Sequence, residues 1–161
     1  FIGNQRNLFR PKTSYVAIFD SVGGLRAGGP IRLAGVEVGT VTAVDIHIPE
    51  KIRSRYSNIT FRNGNIENLP FKDNSFDTVV CTHTLEHVLD FPKSVSELRR
   101  VAKNRLIIVV PMQRPYRYTL DPHINFFPYL HSFLQAIKPP KERFVCKVAG
   151  GDIFYREDFK K

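Results

Sequence analysis

The sequence predicts an α/β chain built from two unlike stretches: a partial parallel sheet with helical crossovers over residues 49–161, and an added β-only, half-barrel-like segment over residues 1–48. Three observations carry this reading. Six of the ten glycines (Gly23, Gly24, Gly28, Gly29, Gly35 and Gly39) lie among short apolar runs without helical periodicity, as tight turns and bulges require. After Pro49 short apolar runs alternate with amphipathic stretches, the pattern of strands joined by helical crossovers. Residues 106–111, LIIVVP, form the unbroken apolar run of a strand covered on both faces.

In order, residues 15–19, 31–33 and 36–48 read as the strands of the first stretch. Residues 51–56 look like the tail of a helix, 58–62 and 78–81 like strands, and 106–110 like a third buried strand. Between the last two, Pro92 suits a first helical turn, and Val95, Leu98, Val101 and Ala102 recur at helical spacing. A helix follows near residues 131–137. Residues 144–148 and 153–155 flank Gly150-Gly151, the signature of an antiparallel hairpin.

Composition bounds the function. With 161 residues, thirteen Phe and six Tyr, the chain supports one ordinary core and is not expected to be disordered. Cys81 and Cys146 lack any C-x-x-C spacing, so a disulfide framework and a cysteine zinc site are not expected, and a reducing, cytoplasmic setting follows. No apolar run approaches bilayer length, and no signal-like stretch opens the sequence. The net charge of +9 sits mainly after Pro49, where nineteen basic residues face twelve acidic ones. Its densest stretch holds Arg99, Arg100, Lys103, Arg105, Arg114 and Arg117, which reads as a solvated basic face rather than a nucleic-acid site.

Two family resemblances emerge. Residues 19–25, FDSVGGL, and 30–41, PIRLAGVEVGTV, match in order and spacing the opening of the MCE domain. That resemblance implies a small β-barrel that forms homo-oligomeric rings and moves lipids at a cell envelope, so the first stretch is expected to be an incomplete barrel without its anchor. Residues 58–158 resemble class I SAM-dependent methyltransferases through NGNIENLPF at 63–71, NSFDTVV at 74–80, LEH at 85–87 and ELRRV at 97–101. This second resemblance implies a partial Rossmann-like methyltransferase sheet joined to the MCE-like segment near residue 49.

The methyltransferase resemblance also implies a site. Asn65 would face the adenine of S-adenosylmethionine with Ile66 packed on the ring, and Thr82 and His83 would stand at the carboxyl edge of the sheet. Tyr116 and Tyr118 would ring the acceptor, a small molecule, while His87 or His123 would take its proton. The Gly-rich turn after the first strand and the ribose-binding carboxylate after the second are expected to be missing, and Gly23 to Gly29 is not expected to replace them because no strand and helix should flank it. Catalysis by this chain alone is therefore not expected. If the first-stretch strands cover the edges left open, a compact domain would still form.

His83-Thr-Leu-Glu-His87 also matches H-x-x-E-H, an inverted zinc-peptidase pattern. It lacks the long helix such a motif needs, so no metal is expected. Three functions thus stand open: a SAM-dependent methyltransferase fragment, an envelope lipid-binding fragment, and an inactive structural hybrid.

Overall fold

The computed structural model describes residues 13–19, 32–33, 36–37, 39–55, 59–115 and 123–159, with side chains from residue 42 onward. Among them are nine strands and three helices. In chain order these are β1 (Thr13–Phe19), β2 (Arg32–Leu33), β3 (Val36–Glu37), β4 (Gly39–Asp45), α1 (Glu50–Arg55), β5 (Ile59–Asn63), β6 (Phe76–Thr82), α2 (Phe91–Val101), β7 (Ala102–Pro111), α3 (Leu130–Ile137), β8 (Phe144–Ala149) and β9 (Asp152–Asp158). No helix among the described residues is long and apolar enough to cross a membrane.

Seven strands form one sheet in the order β5-β4-β1-β6-β7-β9-β8. β1 pairs in parallel with β4 on one side (Ala17 opposite Ala43) and with β6 on the other (Ile18 opposite Cys81). β5 lies parallel to β4, and β7 parallel to β6. The final hairpin is antiparallel, with β9 inserted between β7 and β8. Strand order therefore reverses beside β1, which makes that end of the sheet a topological switch point.

This topology corrects the sequence reading at its first stretch. The segments read as a half-barrel supply β1 and β4, both parallel members of the main sheet, while β2 and β3 form a separate two-stranded ribbon. Strands from both sides of residue 49 thus share one sheet. The edge at residues 58–62, expected to be open, is the strand β5 paired along β4 from Val41–Ile59 to Asp45–Asn63. The remaining expectations hold to within a few residues, as boundary fraying allows.

Local chemistry explains the elements that follow. The Asp90 carboxylate caps α2 by accepting the Lys93 N–H at 2.9 Å, and Pro92 occupies the first turn. The helix then buries Phe91, Val95, Leu98 and Val101 along one stripe against the sheet. Each such side chain removed from water contributes roughly 1.5–3 kcal/mol before entropy is counted. Leu106, Ile108 and Val110 of β7 are fully buried on one face, while Ile107 and Val109 on the other are partly buried. At the β8–β9 turn Gly150 and Gly151 sit at φ of 64° and 92°, a left-handed geometry that favours glycine at both positions.

Beneath α3 the core is aromatic: Phe133 meets Phe127 at 5.2 Å and Tyr155 at 5.7 Å between ring centroids. Tyr155 carries its hydroxyl inward and donates to Glu157 at 2.8 Å, and Arg99 closes on the same carboxylate at 2.9 Å. The expected basic face is accordingly part ion pair: Arg99 joins Glu157, Arg100 joins Glu97 and Asp73, and Arg105 joins Asp158.

Candidate functional site

At the carboxyl ends of the parallel strands three loops face one another. The chain leaves β4 through Asp45, β5 through Gly64 and β6 through residues 83–90. Between them lies a cleft of about 270 Å3. Val44, Ile46, Ile66, Val88 and Leu89 give it apolar walls, and Asp45, Asn65, Glu67, Thr84 and His87 its polar groups.

Each wall is fixed by specific contacts. The Gly64 N–H donates to the Asp45 carbonyl at 3.0 Å, which ties the ends of β5 and β4 together. A Cβ at Gly64 would stand 3.0 Å from Pro70 Cδ and 3.1 Å from Val44 Cγ1, so the turn closes this tightly only on glycine. Glu67 Oε1 accepts the N–H groups of Leu89 at 3.1 Å and Asp90 at 3.0 Å, joining the second wall to the third. Arg100 donates to the carbonyls of Leu69 and Phe71, and Glu97 accepts the Leu69 N–H at 2.8 Å. The ELRRV signature thus works as a clamp from α2 onto the loop after β5. Bonding to Arg100 holds the Glu97 carboxyl below its ordinary range.

Three of the expected site residues, Asn65, Ile66 and His87, line the cleft, and His123 packs edge-on against His87 with ring centroids 4.6 Å apart. Asn65 also has a structural duty, because its Oδ1 accepts the Glu67 N–H at 2.9 Å in an Asx turn. Thr82 and His83 do not line the cleft. Thr82 is the last residue of β6, and its carbonyl accepts the Thr84 hydroxyl at 3.0 Å. His83, at φ 48°, stands with Nε2 3.4 Å from the Asp152 carboxylate. Tyr116 and Tyr118 lie outside the described residues.

The sequence reading missed Asp45, Thr84, Glu67 and Glu86. For Asp45 the signal was present, since an acidic residue ends a short apolar strand. Extending that strand to residue 48 inside a barrel concealed it. A carboxylate thus stands at the end of β4, where the sequence reading expects none, its Oδ1 accepting the His47 N–H at 3.2 Å. Likewise, the glycines from Gly23 to Gly29 follow directly from β1 in the sequence, although residues 20–31 lie outside the described residues.

Glu86 is 1% exposed, and its Oε2 has no hydrogen-bond partner, while Oε1 lies 3.5 Å from His83 Nδ1. Burial pushes its carboxyl up, against the opposing pull of its own backbone N–H and of His87, His83 and His123. Nearby, burial drives the Cys81 thiol to about 12, which excludes a thiolate nucleophile at neutral pH.

The protein-family model described as a methyltransferase domain matches residues 23–110. The chain belongs to this methyltransferase family. The match crosses residue 49 without a break, and nothing in the comparisons supports the MCE resemblance, lipid transport or a join of two domains. Over 69 residues the chain is 36% identical to an uncharacterized methyltransferase of Bacillus subtilis, an alignment covering 42% of this chain and 27% of that protein. Over 107 residues it is 31% identical to the ubiquinone/menaquinone biosynthesis C-methyltransferase of Haemophilus ducreyi, covering 61% and 41% respectively.

The chain spans between about a fifth and a half of the curated relatives it matches. The structure of a SAM-dependent methyltransferase from Aquifex aeolicus superposes with a TM-score of 0.62 at 17% identity, over 91% of this chain and 81% of that one, which shows the fold. Membership of the methyltransferase family implies S-adenosylmethionine as cofactor. The lining fits such a group: apolar side chains of Val44, Ile66 and Val88 to receive a purine, with the Asp45 carboxylate and the His87 imidazole on the same cleft.

Proposed function

We propose that this chain forms the nucleoside-binding face of a SAM-dependent methyltransferase, with its acceptor chemistry at His87 and His123. The observation that carries the reading is the convergence of Asp45, Asn65, Ile66 and His87 on one cleft at the switch point of the sheet. Asp45 offers a carboxylate to the ribose hydroxyls, and Ile66 and Val88 offer flat apolar contact to the adenine. Since Asn65 Oδ1 is engaged with Glu67, its amide nitrogen is the group left to donate toward a ring nitrogen of the base.

When bound, S-adenosylmethionine supplies an electrophilic methyl group on a sulfonium. The chain then has to hold the acceptor in line, exclude water and deal with any proton the acceptor must lose. His87 and His123 are the groups positioned for that task, which favours a small-molecule acceptor with an acidic O–H or C–H. The name of the Haemophilus relative, a C-methyltransferase, fits an acceptor of the second kind.

The expectation of a chain inactive by itself rests on a missing Gly-rich turn and ribose-binding carboxylate. Because β1 and β4 stand in the sheet and Asp45 ends β4, binding is the property to measure. Titration calorimetry with S-adenosylmethionine and with S-adenosylhomocysteine should give one site per chain with micromolar affinity. Absence of heat with both would overturn the proposal.

A further inference from the structure

We propose that Glu86, His87 and His123 form a binding site for a divalent transition-metal ion at the acceptor end of the cleft. The inference rests on the methyltransferase reading and narrows it: with both imidazoles ligating an ion, the acceptor's proton is acidified by the metal and lost to water instead of being taken by His87 or His123. The expectation that no metal is bound is thereby revised.

The three side chains each bring one ligand atom to within 4.8 Å of the other two. Bonds of 2.0–2.1 Å to a tetrahedral ion would set those atoms roughly 3.3 Å apart, so the site closes by small side-chain rotations. Two imidazole nitrogens and a carboxylate oxygen are a borderline donor set, suited to zinc, iron(II), cobalt(II) or manganese(II).

The backbone holds the two halves of the cluster together. Glu86 and His87 lie in the loop after β6, and His123 opens the segment that leads to α3. The Glu86 carbonyl accepts the N–H groups of Ile124 at 2.7 Å and Asn125 at 2.9 Å. The Asn125 amide donates in turn to the carbonyls of Leu85 at 2.9 Å and Val88 at 2.8 Å. Four hydrogen bonds therefore fix His123 against His87 without using any of the three candidate ligand atoms.

Two further observations point to a cation. Glu86 Oε2 is buried and without a hydrogen-bond partner, a costly state for a carboxylate that a metal ion would relieve. His123 Nδ1 lies 2.7 Å from Gln113 Oε1, an oxygen that can only accept, so Nδ1 carries the proton and Nε2 the lone pair. Such an outer hydrogen bond is how metal-binding histidines are oriented. Because His87 also lines the cleft, an ion held by three protein ligands would keep open positions toward the acceptor. An acceptor that presents an oxygen donor is the class this arrangement fits.

The test uses the untagged full chain, stripped with a chelator and titrated with Co2+ by visible absorption and with Zn2+ by calorimetry. One ion per chain is expected, with ligand-field bands that Zn2+ bleaches. Glu86→Gln, which keeps the shape of the side chain, and His123→Ala should each weaken binding at least tenfold, while His131→Ala, at an exposed position on α3, should not. Circular dichroism confirms that each variant is folded. Lack of stoichiometric binding by the parent chain, or undiminished binding by both Glu86→Gln and His123→Ala, would overturn the proposal. The nucleoside titration is read separately: S-adenosylhomocysteine bound without metal sinks this inference alone, and metal bound without the nucleoside sinks the methyltransferase reading of the cleft alone.

Discussion

Along β6, β7 and β9 the sheet is held by apolar burial, with Val79, Leu106, Ile108, Ile153 and Tyr155 all at 0% exposure beneath α2 and α3. Around the cleft, the loops after β4, β5 and β6 are held by hydrogen bonds from Gly64, Glu67, Glu97 and Arg100. Burial is non-directional and tolerates small shifts, whereas hydrogen bonds fix atoms to within a fraction of an ångström. The difference teaches that the core and the tip of the cleft can each be perturbed without moving the other, while the α2 clamp at Arg100 serves both stability and site geometry.

The sharpest trial of that division is Leu106→Ala. It opens a cavity in the middle of β7 and should cost about 3 kcal/mol in denaturant unfolding. Affinity for S-adenosylhomocysteine, measured where the variant remains folded, should stay unchanged. A matching loss of affinity would break the division. Arg100→Ala comes next, at about 2 kcal/mol, because it strips charge-assisted bonds from the Leu69 and Phe71 carbonyls and leaves Glu97 without its partner. Unlike the core variant, it should also weaken nucleoside binding, since residues 64–69 lose their anchor. Arg100→Lys should recover little, because a single ammonium cannot span the four acceptor groups, on Leu69, Phe71, Asp73 and Glu97, set around a planar fork.

Asp45→Asn probes the cleft from the other direction. Removing the charge at the end of β4 should reduce S-adenosylhomocysteine affinity about tenfold, or ~1.4 kcal/mol, with almost no change in the unfolding midpoint. A large fall in the midpoint would mean that Asp45 belongs to the stabilising set instead.

How much of this was legible in the sequence follows the same division. The buried strand at residues 106–110, the Pro92 helix start and the Gly150-Gly151 hairpin could all be read locally, because apolar periodicity and turn chemistry are local signals. The pairing of β1 with both β4 and β6 could not. Short Gly-flanked strands look alike whether they close a barrel or enter a parallel sheet, and the choice depends on partners some 60 residues away in β6. At the site, Asn65, Ile66 and His87 could be read because they sit in recognisable motifs. Asp45 was lost with the misassigned strand, and Glu86 was passed over because the His83 to His87 motif was judged only as a zinc-peptidase helix. In the fold Glu86 and His87 cluster with His123, 36 positions beyond His87, while His83 stands against Glu86 Oε1 and the Asp152 carboxylate.

The smallest expected effect lies in the pH dependence of the α2 clamp. Glu97 is bonded to Arg100 at 2.7 Å and accepts the Leu69 N–H, with Lys93 and Asp73 the other charges nearby, and its carboxyl is held below the usual value. A carboxyl depressed in the folded state stabilises the protein fully above its unfolded pKa, roughly 4.3. That contribution is lost as the pH falls through the lower, folded value. Glu97→Gln should therefore be less stable than the parent chain at pH 7, and the gap should shrink below about pH 4.3 as the parent's carboxylate takes up its proton. Urea midpoints of the two chains between neutral and acid pH measure this. A gap that stayed constant across the range would show that the Leu69 N–H and Arg100 respond to the shape of the residue at position 97, and that its charge contributes nothing to holding the cleft wall.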